Sequence, residues 1–309
     1  MAASPSASVM AQLEQHFHCH HLWQQPPGQQ AAWLAGVGAK VRAVLTTGTI
    51  GINAALLAQL PKVEIVAVNG IGTDAVDLAA TRARGIFVTN TPGVLTDDVA
   101  DLALTLLLSA ARRLPALDFY VRTGAWEAGK PLAPARALRG KVCGVYGFGR
   151  IGQAIAARVQ AFGMAVQYFQ PRAIDGVSVP RAGSLLALAE ASDYLVVAAP
   201  GTPATRHTVN AEVLAALGPQ GTLVNIARGS LVDEAALIAA LRERTLGMAA
   251  LDVFADEPHV PAALRELDNV VLTPHVGSLT VETRHAMGQL VVDNLLAHFA
   301  GRPLLTSVA

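Results

Sequence analysis

The sequence predicts an α/β protein built on two doubly wound parallel sheets. Three observations carry this. Short β-branched runs alternate with Ala/Leu-rich helical segments, the pattern of helices layered on parallel strands. The alternation comes as two series, one before residue 97 and one after residue 140. A glycine cluster at 147–152 directly follows a strand and opens a helix. At 309 residues and roughly 100–200 residues per domain, the chain has room for about two domains.

In the first series, residues 42–46, 63–68 and 86–89 read as strands. Helical stretches at 53–60 and 75–84 separate them, and Gly85 stops the second. A long helix is expected at 97–111, with Thr96 as its N-cap. The second series opens with strand 142–146 and a helix from Arg150. Strands 166–169, 194–198, 222–226, 248–253 and 270–272 follow, with helices at 211–217 and 233–241 among them. The last helix, 281–299, places Met287, Leu290, Val291, Leu295 and Phe299 on one face, and Gly301 ends it. No Pro/Ser linker divides the chain. The domains are therefore expected to be joined by the long helices, the last one returning to the N-terminal half.

Composition narrows the class. The chain is 52% hydrophobic and 15% charged, with 23 basic and 23 acidic side chains and a formal net charge of zero. So aliphatic a chain is globular, not disordered. Neutrality argues against nucleic-acid partners and a polybasic membrane surface, since both need a positive field. The apolar stretch 102–111 is about half a membrane span, and the N-terminus lacks the charged-then-apolar order of a secretory signal. Cys19 and Cys143 are too few for a disulfide framework, so a cytoplasmic location is expected. The run His16-Phe17-His18-Cys19-His20-His21 has metal-ligand chemistry, but alternate residues of a strand face opposite sides. No metal is expected there. Trp33 and Trp126 are read as packing residues, and Cys143 as a small core residue.

The glycine cluster is Gly147-Phe148-Gly149-Arg150-Ile151-Gly152, a G-x-G-x-x-G in strand-turn-helix context. Gly147 permits the tight turn, Gly149 lets backbone approach a pyrophosphate, and Gly152 lets helix and strand pack closely. The helix N-terminus offers unpaired N–H groups to phosphate. An NAD site would carry a carboxylate for the ribose about 20 residues on. Here the second strand ends in Gln170-Pro171-Arg172. A guanidinium forks onto a 2′-phosphate that a carboxylate would repel. NADP(H) is therefore expected, with Arg172 on the phosphate and Gln170 in the vacated acidic position. The alternative is that Arg172 is a solvated surface residue and discrimination is loose.

Three later strands end in polar residues, the edge at which open α/β sheets place ligands. Arg228 follows 222–226, Glu257 follows 248–253, and His275 follows 270–272. Together they supply a cation fork, a proton donor and a carboxylate that favours the imidazolium form. Asp256 is read mainly as a turn residue.

These segments resemble the D-isomer-specific 2-hydroxyacid dehydrogenases along nearly the whole chain, with the glyoxylate/hydroxypyruvate and hydroxyphenylpyruvate reductase branch most similar. The matching stretches are 68–77, 88–101, 147–152, 227–229, 251–258 and 274–278. The resemblance implies a Rossmann cofactor domain, residues 98–280, inserted into a discontinuous flavodoxin-like substrate domain, 1–97 and 281–309. It implies that Arg228 binds the substrate's carboxylate and carbonyl, that His275 is the acid/base, and that Glu257 is its partner. Asp252 would meet the nicotinamide amide, and the N–H groups of Ile71 and Gly72 the substrate carboxylate. Ala199, Pro200 and Thr205 would border the adenosine half, Ile226 and Ala227 the nicotinamide, and Thr96 the hinge. Residues 120–138 would form an arm of a homodimer.

The expectation is NADPH-dependent reduction of a small 2-keto acid to the (R)-2-hydroxy acid. Two alternatives stay open: an NAD-linked dehydrogenase for another substrate class, and a non-enzymatic nucleotide-sensing corepressor of the same fold.

Overall fold

The computed structural model describes residues 5–308. The chain forms two compact units. One holds the residues up to Leu95 with those from Ser278 onward, and the other is Thr96–Gly277.

The first unit contains helices α1 (Ala7–His16) and α2 (Gln30–Val37), strand β1 (Ala43–Thr47), helix α3 (Ala54–Ala58), strand β2 (Ile65–Asn69), helix α4 (Leu78–Ala83) and strand β3 (Phe87–Thr89). Local signals set the helix starts. Asn53 and Asp77 each accept a backbone N–H three residues on, from Leu56 and Ala80, both at 2.9 Å, leaving fewer orphan donors at each N-terminus. The strands pair in parallel in the order β1-β2-β3. Period-two alternation sends Val44, Val66, Val68 and Val88 to one face, against Leu34, Leu57 and Leu60. It sends Leu45, Ile65 and Ala67 to the other.

This sheet is smaller than the flavodoxin-like one expected, with three strands in sequential order and no reversal. The His16–His21 stretch, expected to be extended in a strand, forms no strand among the described residues. Its rings find aromatic partners instead: His18 lies edge-on to His20, His20 to Trp33, and His21 stacks on Trp23. A 3₁₀ turn begins at Leu22.

The second unit opens with α5 (Thr96–Arg112), followed by α6 (Leu114–Arg122). Thr96 is the first helical residue rather than the cap before it, and Asp97 and Asp98 fill the first turn, where the helix dipole favours negative charge. Then come β4 (Val142–Tyr146), α7 (Arg150–Ala161), β5 (Ala165–Phe169), α8 (Leu185–Glu190), β6 (Tyr194–Val197), α9 (Ala211–Leu217), β7 (Thr222–Asn225), α10 (Glu234–Arg242), β8 (Met248–Leu251), α11 (Ala262–Arg265) and β9 (Val270–Leu272). All six strands pair in parallel, in the order β5-β4-β6-β7-β8-β9. Every residue of β6 and β7 is buried, which is why β6 reads as a continuous apolar run instead of an alternating one. The strand order reverses beside β4, and the crevice outside such a switch point is where open α/β sheets bind ligands. Trp126, read as a packing residue, is 69% exposed. It follows α6 in a stretch of turns whose neighbours Glu127, Ala128 and Gly129 are exposed as well, so no layer covers it among the described residues.

Helix α12 (Val281–Phe299) returns the chain to the first unit. Its Val291, Val292 and Leu295 pack with Leu45, Ile65 and Ala67 and with Val9 and Leu13 of α1. Each such aliphatic burial contributes about 1.5–3 kcal/mol. Among the described residues no helix is long and apolar enough to cross a membrane.

Candidate active site

The glycine loop between β4 and α7 divides its tasks among its three glycines. Gly147 has φ +91°, and a Cβ there would lie 2.5 Å from the Ala199 backbone. At Gly152 a Cβ would lie 2.1 Å from the Gly147 carbonyl oxygen, so α7 could not sit so close to β4. At Gly149 nothing stands within 4 Å. That opening, at the N-terminus of α7, fits close approach of a pyrophosphate. Arg150 is exposed and Ile151 half-buried. The Phe148 ring is buried against Tyr168, centroids 4.3 Å apart, because the loop turns it into the core. Only its backbone faces the loop, and its N–H donates to Gln170 Oε1 at 3.1 Å.

The turn after β5 holds Gln170, Pro171 and Arg172. Gln170 Nε2 donates to the Arg172 carbonyl at 2.7 Å, while the Arg172 side chain is exposed. Beyond β6, Ala199 is buried against the glycine loop and Pro200 is exposed. The Thr205 hydroxyl is engaged within its own loop, near the Pro200 carbonyl at 2.7 Å and accepting the Thr202 N–H at 2.9 Å. Its visible task is to cap a 3₁₀ turn. Thr96, in α5, has a buried hydroxyl without a hydrogen-bond partner among the described residues.

Adjacent strands β7, β8 and β9 carry the polar residues. Past β7, Ile226 and Ala227 are buried, and Arg228 Nη1 donates to the Ala227 carbonyl at 2.7 Å. The stem of Arg228 runs beside Gly201, where a Cβ would come within 2.9 Å of its Cγ. Gly229 lets this loop touch the next one, because a Cβ would overlap the Phe254 carbonyl at 1.9–2.0 Å.

Past β8 and β9, Glu257 and His275 meet. His275 Nδ1 lies 2.6 Å from Glu257 Oε2, and Glu257 Oε1 accepts the Phe254 N–H at 3.1 Å. Burial would raise the Glu257 carboxyl, but the His275 hydrogen bond and charge, the Phe254 N–H and the Arg228 charge outweigh it. The group is held below the usual carboxylate range. An ionised carboxylate only accepts, so Nδ1 carries the proton in this contact and Nε2 remains for chemistry.

His275 itself has φ +53°, a left-handed conformation costing about 1–2 kcal/mol for a non-glycine residue. Asp252 holds the loop in that shape. The residue is 1% exposed, and its carboxylate accepts from Thr273 Oγ1 at 2.7 Å, Val276 N–H at 2.8 Å and Gly277 N–H at 2.9 Å. Its carbonyl takes the His275 N–H at 2.8 Å. The side chain thus works chiefly as a loop clamp, a task not read from the sequence. Asp256 is exposed, in a turn closed by the His259 N–H.

In the first unit, Ile71 and Gly72 follow the carboxyl end of β2. Asn90 Nδ2 fixes the Ile71 carbonyl at 2.8 Å, and the Thr91 N–H fixes that of Gly70 at 2.9 Å.

The model of the D-isomer specific 2-hydroxyacid dehydrogenase NAD binding domain matches residues 104–277. The chain is 48% identical to hydroxyphenylpyruvate reductase of Plectranthus scutellarioides, covering all of this chain and 97% of the relative. The chain belongs to the D-isomer specific 2-hydroxyacid dehydrogenase family. It is 46% identical to glyoxylate/hydroxypyruvate reductase A of Arabidopsis thaliana over the same shares. Among solved structures it resembles the NADPH-dependent glyoxylate/hydroxypyruvate reductase of Sinorhizobium meliloti in complex with NADP and malonate. The TM-score is 0.90 at 42% identity, covering 99% of this chain and 94% of that one. The matched segment of this dehydrogenase contains the glycine loop, the 170–172 turn and all of Arg228, Asp252, Glu257 and His275. The chain is accordingly an oxidoreductase with a nicotinamide-dinucleotide-binding domain of parallel α/β architecture.

Proposed function

We propose that this dehydrogenase reduces a small 2-keto acid such as hydroxypyruvate or glyoxylate to the (R)-2-hydroxy acid, using NADPH. The observation that carries the reading is the Glu257–His275 pair at 2.6 Å, beside Arg228 at the ends of three adjacent parallel strands. When bound, the dinucleotide supplies hydride to C2 of the substrate. His275 gives the proton from Nε2 to the substrate oxygen, and Glu257 stabilises the imidazolium at Nδ1 beforehand. Arg228 holds the substrate's carboxylate and carbonyl, with the Ile71 and Gly72 N–H groups on the carboxylate, so positioning lowers the barrier along with charge. The reading divides the chain into a substrate domain, 1–97 and 281–309, and a cofactor domain, 98–280.

The glycine loop holds the pyrophosphate, aided by Arg150. Asp252 Oδ2 accepts one hydrogen bond in its loop and keeps capacity for the nicotinamide amide. NADPH over NADH is supported by Gln170 in place of a carboxylate and by the exposed Arg172 beside it. The names of the relatives, glyoxylate/hydroxypyruvate reductases among them, support the substrate class. A homodimer through residues 120–138 is supported by the exposed Val121, Trp126 and Leu132 within that segment. Two unpaired cysteines support a reducing, cytoplasmic setting.

The test is dinucleotide oxidation with hydroxypyruvate, glyoxylate, pyruvate and phenylpyruvate, each with NADPH and NADH. Turnover of at least one 2-keto acid, with higher kcat/KM for NADPH, is expected. No oxidation with any of them refutes the activity, and an NADH preference refutes the cofactor assignment.

A further inference from the structure

The turn that carries Arg172 is held from a distance. Strand β5 lies at the edge of its sheet, so the residues beyond its end have no neighbouring strand on the outer side. A later segment fills that role. The Tyr168 N–H donates to the Pro180 carbonyl at 3.0 Å, and the Ala182 N–H to the Tyr168 carbonyl at 2.8 Å, so residues 180–182 run parallel beside β5. This pairing brings the Arg181 guanidinium to the turn. Its Nε donates to the Gln170 carbonyl at 3.1 Å, and its Nη2 to the Pro171 carbonyl at 2.9 Å.

From the opposite side, Gln170 ties the turn to the glycine loop. Its Oε1 accepts the Phe148 N–H, and its Nε2 donates to the Arg172 carbonyl. All three carbonyls of residues 170–172 are thus fixed by side-chain donors. Gln170 does more than remove a negative charge. An aspartate or glutamate could still accept from Phe148, but it has no donor for the Arg172 carbonyl. Arg181 likewise does what lysine could not, since a rigid fork meets two consecutive carbonyls while an ammonium is a point charge.

We propose that Gln170 and Arg181 are positioning residues that select the phosphorylated dinucleotide, holding the turn in the one shape that presents Arg172 to the 2′-phosphate. This rests on the NADPH reading above. Arg181 acts through the turn and adds a second positive charge to it. Neither residue takes part in hydride or proton transfer.

The experiment measures Kd for NADPH and NADH by fluorescence, and kcat at saturating NADPH, in Arg181→Ala, Arg181→Lys and Gln170→Met. Arg181 is exposed, and NADH binding is the internal control for folding. All three variants should weaken NADPH by roughly tenfold, the scale of one lost charged-group hydrogen bond. In the two Arg181 variants NADH affinity and kcat should change less than about twofold. Arg181→Lys is the discriminating arm, because it keeps the charge and loses the fork. If it binds NADPH as the wild type does, positioning is overturned. Equal losses for NADPH and NADH overturn it too, as does unchanged NADPH affinity in all three. A wild-type preference for NADH overturns the cofactor assignment first and this inference with it. A wild-type NADPH preference that the variants leave intact overturns the inference alone.

Discussion

Asp252→Asn should cripple the enzyme although it replaces a single heavy atom in a residue that is 1% exposed. The Asp252 carboxylate accepts three hydrogen bonds, two of them from the backbone N–H groups of Val276 and Gly277 at 2.8 and 2.9 Å. Those donors cannot turn away. A carboxamide offers one oxygen, so its NH₂ must face a donor. One charged-group hydrogen bond is lost, about 1.5–3 kcal/mol, and one N–H is left buried without a partner, about 1–3 kcal/mol more. The sum exceeds the roughly 1–2 kcal/mol that holds a residue left-handed, so His275 relaxes from φ +53° and Nε2 moves. A displacement of about 1 Å at a reacting group costs on the order of 10²-fold. Steady-state assays with hydroxypyruvate should show kcat lowered by about that factor. A kcat within about threefold of wild type would refute the clamp.

Further outcomes follow from the same site. His275→Ala should lower kcat by a large factor, about 10²–10⁴ for a lost general acid, while NADPH binding by fluorescence stays near wild type; unchanged turnover removes it as proton donor. Glu257 sits below its ordinary value, so its stabilisation is complete above the unfolded value near 4.3 and disappears as pH falls through the folded one. The difference in unfolding midpoint between wild type and Glu257→Gln should therefore persist down to about pH 5 and close only below about 4.3; closure already above pH 5 contradicts this. Gly147→Ala places a Cβ 2.5 Å from the Ala199 backbone at φ +91°, and dinucleotide affinity should fall at least tenfold in titrations, with unchanged affinity counting against the loop geometry.

The parts of this molecule legible in its sequence are those with local causes. Strand β4, strand β9, helix α9 and helix α12 have the bounds that apolar runs and stop residues imply. Arg228, Glu257 and His275 stand out in the sequence because each follows a strand end, a position countable along the chain. Helices α6 and α8 escaped notice because one follows a left-handed Arg113 and the other is only six residues long, capped by Ser184. Arg181 was invisible for a different reason. Its partners lie 10 and 11 residues away and meet it only through an edge pairing that no periodicity announces. The clamp that Asp252 forms is likewise a property of the folded loop, since its three donors gather only once β8 and β9 are side by side.

Helix α12 also sets an order of events during synthesis. Leu45, Ile65 and Ala67 form one face of the first sheet, and the residues that cover that face include Val291, Val292 and Leu295. A ribosome must add roughly 200 residues between them, about 10–40 s at ordinary elongation rates. Throughout that interval the growing chain carries a half-covered sheet, while the second unit has every one of its strands in hand before α12 begins. The second unit is thus free to complete its core first. The N-terminal sheet waits for the last helix, and this is the stage at which a chaperone that shields apolar strands has the most to protect.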